Sequence, residues 1–284
     1  MPIFRDVPPP PNSSILITGC SSGIGQCLAF GLQRSGFNVI ATCRKEEDCT
    51  HYRGNGIFSI PLDLDSSRSI DNAVQTTLEH THGKLYGLVN NGAYGQPGAV
   101  EDLDRKTLRE QFETNVFGTQ ELTNRLIPVM KPQQSGRIVQ ISSVLGFICL
   151  PYRGAYNASK YALEALSDTL RLELANSGIH VSLIEPGPIE SAFRANSHEK
   201  FLANIDSGRS DHRERYQALL ERLRSDQPVR FTLPAQSVLK VVKHALNSPN
   251  PKVRYRVTTP TRVFSVLKRL LPDRVLDRIL SRIH

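Results

Sequence analysis

Tryptophan is absent from the 284 residues and methionine occurs only twice. With no indole and no recognisable nucleic-acid-binding motif, the chain lacks the usual signature of a nucleic-acid binder, and no nucleic acid is expected as a partner. Cysteine is scarce too. Cys20, Cys27, Cys43, Cys49 and Cys149 are an odd number without a C-x-x-C pair, and the eight histidines show no H-E-x-x-H or other ligand spacing. These absences argue against a disulfide framework and against a metal site. Cys27 and Cys149 stand among apolar residues and read as small core fillers. No apolar run approaches the ~20 residues that a bilayer-spanning helix needs. The N-terminal stretch Met1 to Pro11 has no secretory apolar region, so a cytoplasmic protein is the expectation.

What is present is an ordinary globular composition, 39% hydrophobic and 22% charged, on a length that suits one large α/β domain. The net charge of +8 is compatible with nucleic acid, an anionic membrane surface or an anionic cofactor. The basic residues are dispersed, with local clusters in 208–230 and in the C-terminal tail.

Residues 8–11 are four prolines, which predict an extended arm over residues 1–13. From Ser14 short apolar runs alternate with helical patterns. Strands are expected at 15–17, 38–42, 57–60, 85–89, 137–142, 179–184 and 252–257, and helices at 23–35, 67–81, 105–130, 154–176 and 234–247. This alternation predicts a single α/β domain over 14–258, a Rossmann-type doubly wound parallel sheet of about seven strands with helices on both faces. A polar segment over about 188–228 is placed to form a substrate lid. Residues 259–284 read as an amphipathic helical extension with interleaved basic residues. Such a tail can lie on a membrane surface, but packing on its own domain or on a neighbouring subunit of a homo-oligomer is favoured.

Three sites carry chemistry. Gly19-Cys20-Ser21-Ser22-Gly23-Ile24-Gly25 follows the first strand and opens the first helix, where glycines permit close approach of a pyrophosphate and the helix end supplies N–H groups. The second strand ends in Arg44, where a site for NAD would carry a carboxylate. A guanidinium there suits a 2′-phosphate, which argues for NADP(H). Tyr156 and Lys160 stand four apart, on one face of a predicted helix, so that the ammonium can lower the phenol pKa. In a chain with eight Tyr, chance alone supplies about 0.3 such pairs, and the surroundings must decide whether this one is chemistry.

Together these motifs resemble the short-chain dehydrogenase/reductase family over Ser14 to about Val257. Within it they look most like bacterial NADP-dependent aldehyde reductases and hydroxysteroid or retinol dehydrogenases. The resemblance implies that Asp63 and Leu64 hold the adenine and that Asn90 and Gly92 belong to the motif after the fourth strand. That motif reads Asn90-Asn91-Gly92-Ala93, with the family's last two residues exchanged. It further implies catalytic roles for Asn115, Ser143, Tyr156 and Lys160, and cofactor contacts from Pro186, Gly187, Ile189 and Ser191, with Ser191 replacing the family's threonine. Tyr156 would pass a proton to the carbonyl oxygen, Ser143 would polarise it, Lys160 would bond the nicotinamide ribose and Asn115 would order a water. Leu145, Phe147, Ile148, Leu150, Tyr152 and Phe193 predict an apolar pocket for a lipophilic aldehyde or ketone. The expected partner is thus a small carbonyl or alcohol. An oxidising hydroxysteroid or retinol dehydrogenase is the alternative. A non-catalytic dinucleotide sensor predicts a degraded site, whereas Ser143, Tyr156 and Lys160 are all intact.

Overall fold

The computed structural model describes residues 13–283 apart from 226 and 228, so the proline-rich arm, Ser13 excepted, lies outside the described residues. The first half alternates β1 (Ser14–Ile17), α1 (Gly23–Gln33), β2 (Asn38–Cys43), α2 (Glu46–Gly54), β3 (Phe58–Pro61), α3 (Ser67–His80) and β4 (Gly87–Asn90). The second continues with α4 (Arg105–Phe112), α5 (Thr119–Met130), β5 (Gly136–Ile141), α6 (Gly154–Glu173) and β6 (Ile179–Glu185). Next come α7 (Phe193–Asn204), α8 (Arg213–Arg224), α9 (Gln236–Asn247), β7 (Arg254–Arg256), α10 (Thr259–Leu270) and α11 (Asp273–Leu280). The strands form one sheet in the order β3-β2-β1-β4-β5-β6-β7, and every pairing is parallel. The strand order reverses between β1 and β4, and this switch point is where open α/β sheets place ligands.

Strand alternation sends the apolar side chains to two cores. Ile15, Ile17, Val39 and Ala41 meet Leu28 and Leu32 of α1 and Val238, Val242 and Leu246 of α9. Leu16, Ile40 and Leu88 meet Ile70 of α3, Leu122 and Leu126 of α5 and Leu170 of α6 on the other face. A sheet covered on both sides explains why its strands read as nearly continuous apolar runs. Each fully buried Leu or Ile contributes about 1.5–3 kcal/mol of burial free energy.

The helix expected over 105–130 is interrupted. Asp104 caps α4, its Oδ1 accepting from the Thr107 N–H at 2.7 Å. Residues Glu113–Gly118 then widen into a π-helical turn before α5 resumes. The short polar helix α2 was not anticipated, since only Cys49 and Tyr52 of its nine residues are buried. Cys149 is exposed and Cys27 only partly buried, which corrects their reading as core fillers.

The segment expected to cover the site contains α7 and α8. They dock on the domain through Phe201, Ile205 and Tyr216, packed with Ala99, Leu103 and Ala155. The Tyr216 hydroxyl accepts from the Ala99 N–H at 2.8 Å and donates to Asp102.

The tail packs on its own domain. Leu276 and Leu280 of α11 join Leu145 and Ile148, with Phe264 and Leu267 of α10, Leu271 just after it and the ring of Tyr156 against them. Lys268 Nζ donates to the Phe147 carbonyl and, at 2.9 Å, to the Tyr161 hydroxyl. Val263, Val266 and Leu270 remain exposed on the outer face of α10. Among the described residues no helix is long and apolar enough to cross a membrane.

Candidate active site

A cleft of about 1000 Å³ opens at the C-terminal ends of the strands. Its walls include Gly19, Ser21, Ser22, Gly23, Ile24, Gly25, Arg44, Asp63, Leu64, Gly92, Pro186, Gly187, Ile189 and Ser191, together with Ser143, Tyr156 and Lys160. Two predicted site residues are not on the wall. Asn90 is buried, and its Nδ2 donates to Thr123 Oγ1 at 2.8 Å, tying β4 to α5. Its neighbour Asn91 faces the cleft instead, where its Nδ2 donates to the carbonyls of Thr18 and Gly19, each at 2.9 Å. Asn115 sits inside the π-helical turn and is also buried. Its Oδ1 accepts from the Tyr94 N–H at 3.1 Å. Its Nδ2 donates to the Tyr94 carbonyl at 2.9 Å and to Ser159 Oγ at 3.1 Å. Ser159 in turn donates to the Tyr156 carbonyl at 2.8 Å, so Asn115 positions the helix that carries the tyrosine.

The glycine loop has no room for side chains. A Cβ on Gly25 would lie 2.1 Å from the Gly19 carbonyl oxygen, and Gly19 itself has φ +68° and faces Gly92 Cα. Thr18 Oγ1 accepts from the N–H groups of Asn91 and Gly92, at 2.9 and 2.8 Å, which draws the two loops together. Ser22 precedes α1 without capping it, and the first turn carries no acidic residue, so the helix end is open to an anion. Arg44 stands exposed at the rim beside this loop and forms no ion pair among the described residues. Uncapped N–H groups, a close-approach loop and a guanidinium form a donor set that fits a dinucleotide.

At the other end, α6 presents Tyr156 and Lys160 across from the β5 end. Lys160 is buried, its Nζ donating to the Ile141 carbonyl at 2.8 Å and lying 5.7 Å from the Tyr156 ring centroid. Burial pulls its pKa down to about 8, while Glu164 one turn later acts in the opposite sense. Burial pushes the Tyr156 phenol up to about 12, against the lowering effects of a hydrogen bond with Ser143 and of the Arg153 charge. The expected depression by Lys160 is therefore not what this geometry gives. The ammonium is spent on a carbonyl, and Arg153, one helical turn before the tyrosine, is the cation that acts on it. Ser143 Oγ also accepts from the Leu145 N–H at 3.1 Å, which fixes the start of its loop. Phe193 of α7 meets the Tyr156 ring edge to face at 5.2 Å between centroids.

The sequence profile of the family described as short chain dehydrogenase matches residues 13–201. The chain belongs to the short-chain dehydrogenase/reductase family. It is similar to an uncharacterized oxidoreductase, YbbO, of Escherichia coli K12, with 46% identity over 95% of this chain and 94% of the relative. It is also similar to the NADPH-dependent 3-dehydrocapnine reductase of Ornithobacterium rhinotracheale, 31% identical over 93% of this chain and 94% of that one. Mouse retinol dehydrogenase 16 is 32% identical over 94% of this chain and 87% of its own length. Among solved structures, a short-chain dehydrogenase from Streptomyces avermitilis superposes with a TM-score of 0.74 at 27% identity, covering 94% of this chain and 98% of that one. The chain is thus an oxidoreductase of a family whose members act on small molecules.

This short-chain dehydrogenase departs from the family motif at Gly92-Ala93, and the structure gives a reason. A Cβ on Gly92 would come within 3.0 Å of Leu64 Cδ1 and 3.2 Å of Thr18 Oγ1, so the smaller residue suits the tighter position. The apolar pocket expected around the tyrosine is only partly realised. Leu145, Leu150 and Phe193 line the cleft, whereas Phe147 and Ile148 pack against the tail and Tyr152 packs with Tyr216. Sequence reasoning missed Arg153, Arg194 and Arg222, all on the cleft wall. The one signal available was the position of Arg153, three residues before the tyrosine.

Proposed function

We propose that this enzyme transfers hydride between NADP(H) and a lipophilic carbonyl compound, working chiefly as a reductase. The observation that carries this reading is the convergence of Ser143, Tyr156 and Lys160 on one wall of a cleft whose far end holds an open helix terminus and Arg44. The glycine loop and the first turn of α1 would hold the pyrophosphate, Arg44 a 2′-phosphate, and Asp63 and Leu64 the adenine. The NADPH dependence of the Ornithobacterium relative supports the choice of cofactor. When bound, the nicotinamide supplies or accepts the hydride.

The chain's own groups handle the proton. A phenol that keeps its proton at neutral pH is ready to give it to the carbonyl oxygen, which favours reduction over oxidation. Ser143 orients that oxygen and donates to the charge developing on it. Lys160 anchors the β5 end behind the tyrosine and would bond the nicotinamide ribose. Asn115 positions α6 through Ser159. Phe193, with α7 and α8, forms the lid that excludes water. The retinol dehydrogenase relative favours a second reading, oxidation of a lipophilic alcohol, by the same residues in reverse.

The test is NADPH and NADH turnover by purified protein across lipophilic aldehydes and ketones. Tyr156→Phe should lower kcat by about 10²–10⁴-fold with little change in cofactor affinity, since it removes the proton donor and leaves the binding surface. Equal turnover by the variant and the native enzyme would sink the mechanism. Arg44→Ala should raise KM for NADPH at least tenfold and leave NADH nearly unaffected; equal losses would remove the argument for the 2′-phosphate.

A further inference from the structure

The cleft that holds Tyr156 also holds three arginines from three different elements. Arg153 precedes α6, Arg194 is the second residue of α7 and Arg222 lies in the last turn of α8. All three are partly buried. Among the described residues none of them forms an ion pair. Arg194 Nη1 donates to the carbonyls of Ser225 and Gln227, each at 3.0 Å, and among the described residues no hydrogen-bond partner accompanies the guanidinium of Arg153 or Arg222. The charges feel one another. Burial first, then repulsion from Arg222 and Arg194, brings the Arg153 guanidinium down to about 10, and the Arg222 group is lowered by burial and by Arg194.

Other charged groups on the same wall do not neutralise this cluster. Lys200 is paired with Glu110 at 3.7 Å and lies over the Tyr94 ring. Glu199, Glu190, Asp48, Asp63 and Asp65 also line the cleft, but among the described residues none of them pairs with the three arginines. Three uncompensated cations gathered beside a reactive tyrosine cost folding free energy, and such a cost is retained where a ligand repays it. The same wall also carries apolar side chains, among them Leu145, Leu150, Phe193, Leu223 and Val229.

Building on the oxidoreductase reading above, we infer that the substrate is amphiphilic: a carbonyl compound whose apolar chain bears a carboxylate or phosphate held by Arg153, Arg194 and Arg222. Arg153 stands one helical turn from Tyr156, so the anionic group lies only a few bonds from the reacting carbonyl. This replaces a purely lipophilic pocket with a divided one, apolar on one side and cationic on the other. Guanidinium forks are suited to both anions through paired hydrogen bonds.

The experiment compares 4-oxododecanoate, its methyl ester and 4-oxododecyl phosphate as substrates with NADPH, in the native enzyme and in Arg153→Gln/Arg222→Gln. Native enzyme should prefer at least one anion over the ester by tenfold or more in kcat/KM, through KM, and the preference should shrink as salt rises. The variant should bring the ratio close to one, and the anion that shows the larger preference identifies the head group. Calorimetric binding of dodecanoate against dodecanol, in both proteins, gives a readout without turnover. If no ketone is reduced yet dodecanoate binds tighter than dodecanol only in the native protein, the anion site stands and the carbonyl reading falls. If anion and ester are used equally and dodecanoate binds no better than dodecanol, the inference is overturned. It is overturned equally if the variant raises KM for NADPH and keeps the anion preference, because the cluster would then serve the cofactor.

Discussion

Lys160 and Tyr156 illustrate how a spacing that sequence makes visible acquires a different physical content in three dimensions. The four-residue interval placed both on one face of α6, as expected. Burial then sets the charge on Lys160 and the Ile141 carbonyl takes its hydrogen bond, and neither is visible in local sequence. With its ammonium held down to about 8, this lysine deprotonates in an accessible range. For reduction, kcat/KM for NADPH reports the free enzyme, in which the charged lysine is the binding form. That parameter should be level at neutral pH and fall as pH rises through about 8. Glu164 favours the ammonium, so Glu164→Gln should move the falling limb to lower pH. A limb that stays in place in the variant, or is absent below pH 10, would assign the lysine another state.

Elements were more legible than their interruptions. The seven strands and the long helices α1, α3, α6 and α9 emerge from apolar periodicity because each is covered by a core that imposes it. The π-helical turn does not, because Asn115 satisfies its side chain on Tyr94, 21 residues away in sequence. Likewise Phe147 and Ile148 read as pocket residues because nothing local says that a tail some 120 residues later covers them. Sequence could locate the loop but not its occluded side. The tail also supplies a prediction at this scale. Leu276 is 7% exposed and packs against the loop that begins at Ser143. Leu276→Ala should cost about 2–5 kcal/mol in urea unfolding. It should lower kcat more than it changes KM for NADPH, since the glycine loop lies elsewhere. Unaltered stability would show that α11 does not hold the catalytic loop.

At the scale of the whole molecule, one arginine closes the last strand onto the catalytic half. Arg254 of β7 bonds Glu185 of β6 at 3.0 Å, and Glu164 and Asp168 of α6 at 3.0 and 2.6 Å. Glu185 is almost fully buried, and burial, with Glu164 next, raises its pKa to about 7 despite the two arginines beside it. Removing one partner of a buried pair leaves an uncompensated charge, so Arg254→Ala should destabilise by about 3–5 kcal/mol at pH 8. A carboxyl raised in the folded state binds more protons there than in the unfolded chain. The loss should therefore diminish as pH falls through about 7 toward 5, a trend that thermal melts across pH would test. A deficit independent of pH would place the cost in packing. Family membership and the sheet were readable from motif order. This clamp was not, because it joins residues 69 to 90 positions apart whose types are common on any surface.

The packing of α11 against the Ser143 loop carries a consequence for descent. Leu145, Ile148, Leu276 and Leu280 fill one shared volume, so a larger side chain at one position is tolerated only with a smaller one opposite. Among homologues these four sites should drift as a linked set, although the chain separates them into two pairs. A lineage that replaces the tail must then rewrite the loop beside its own catalytic serine.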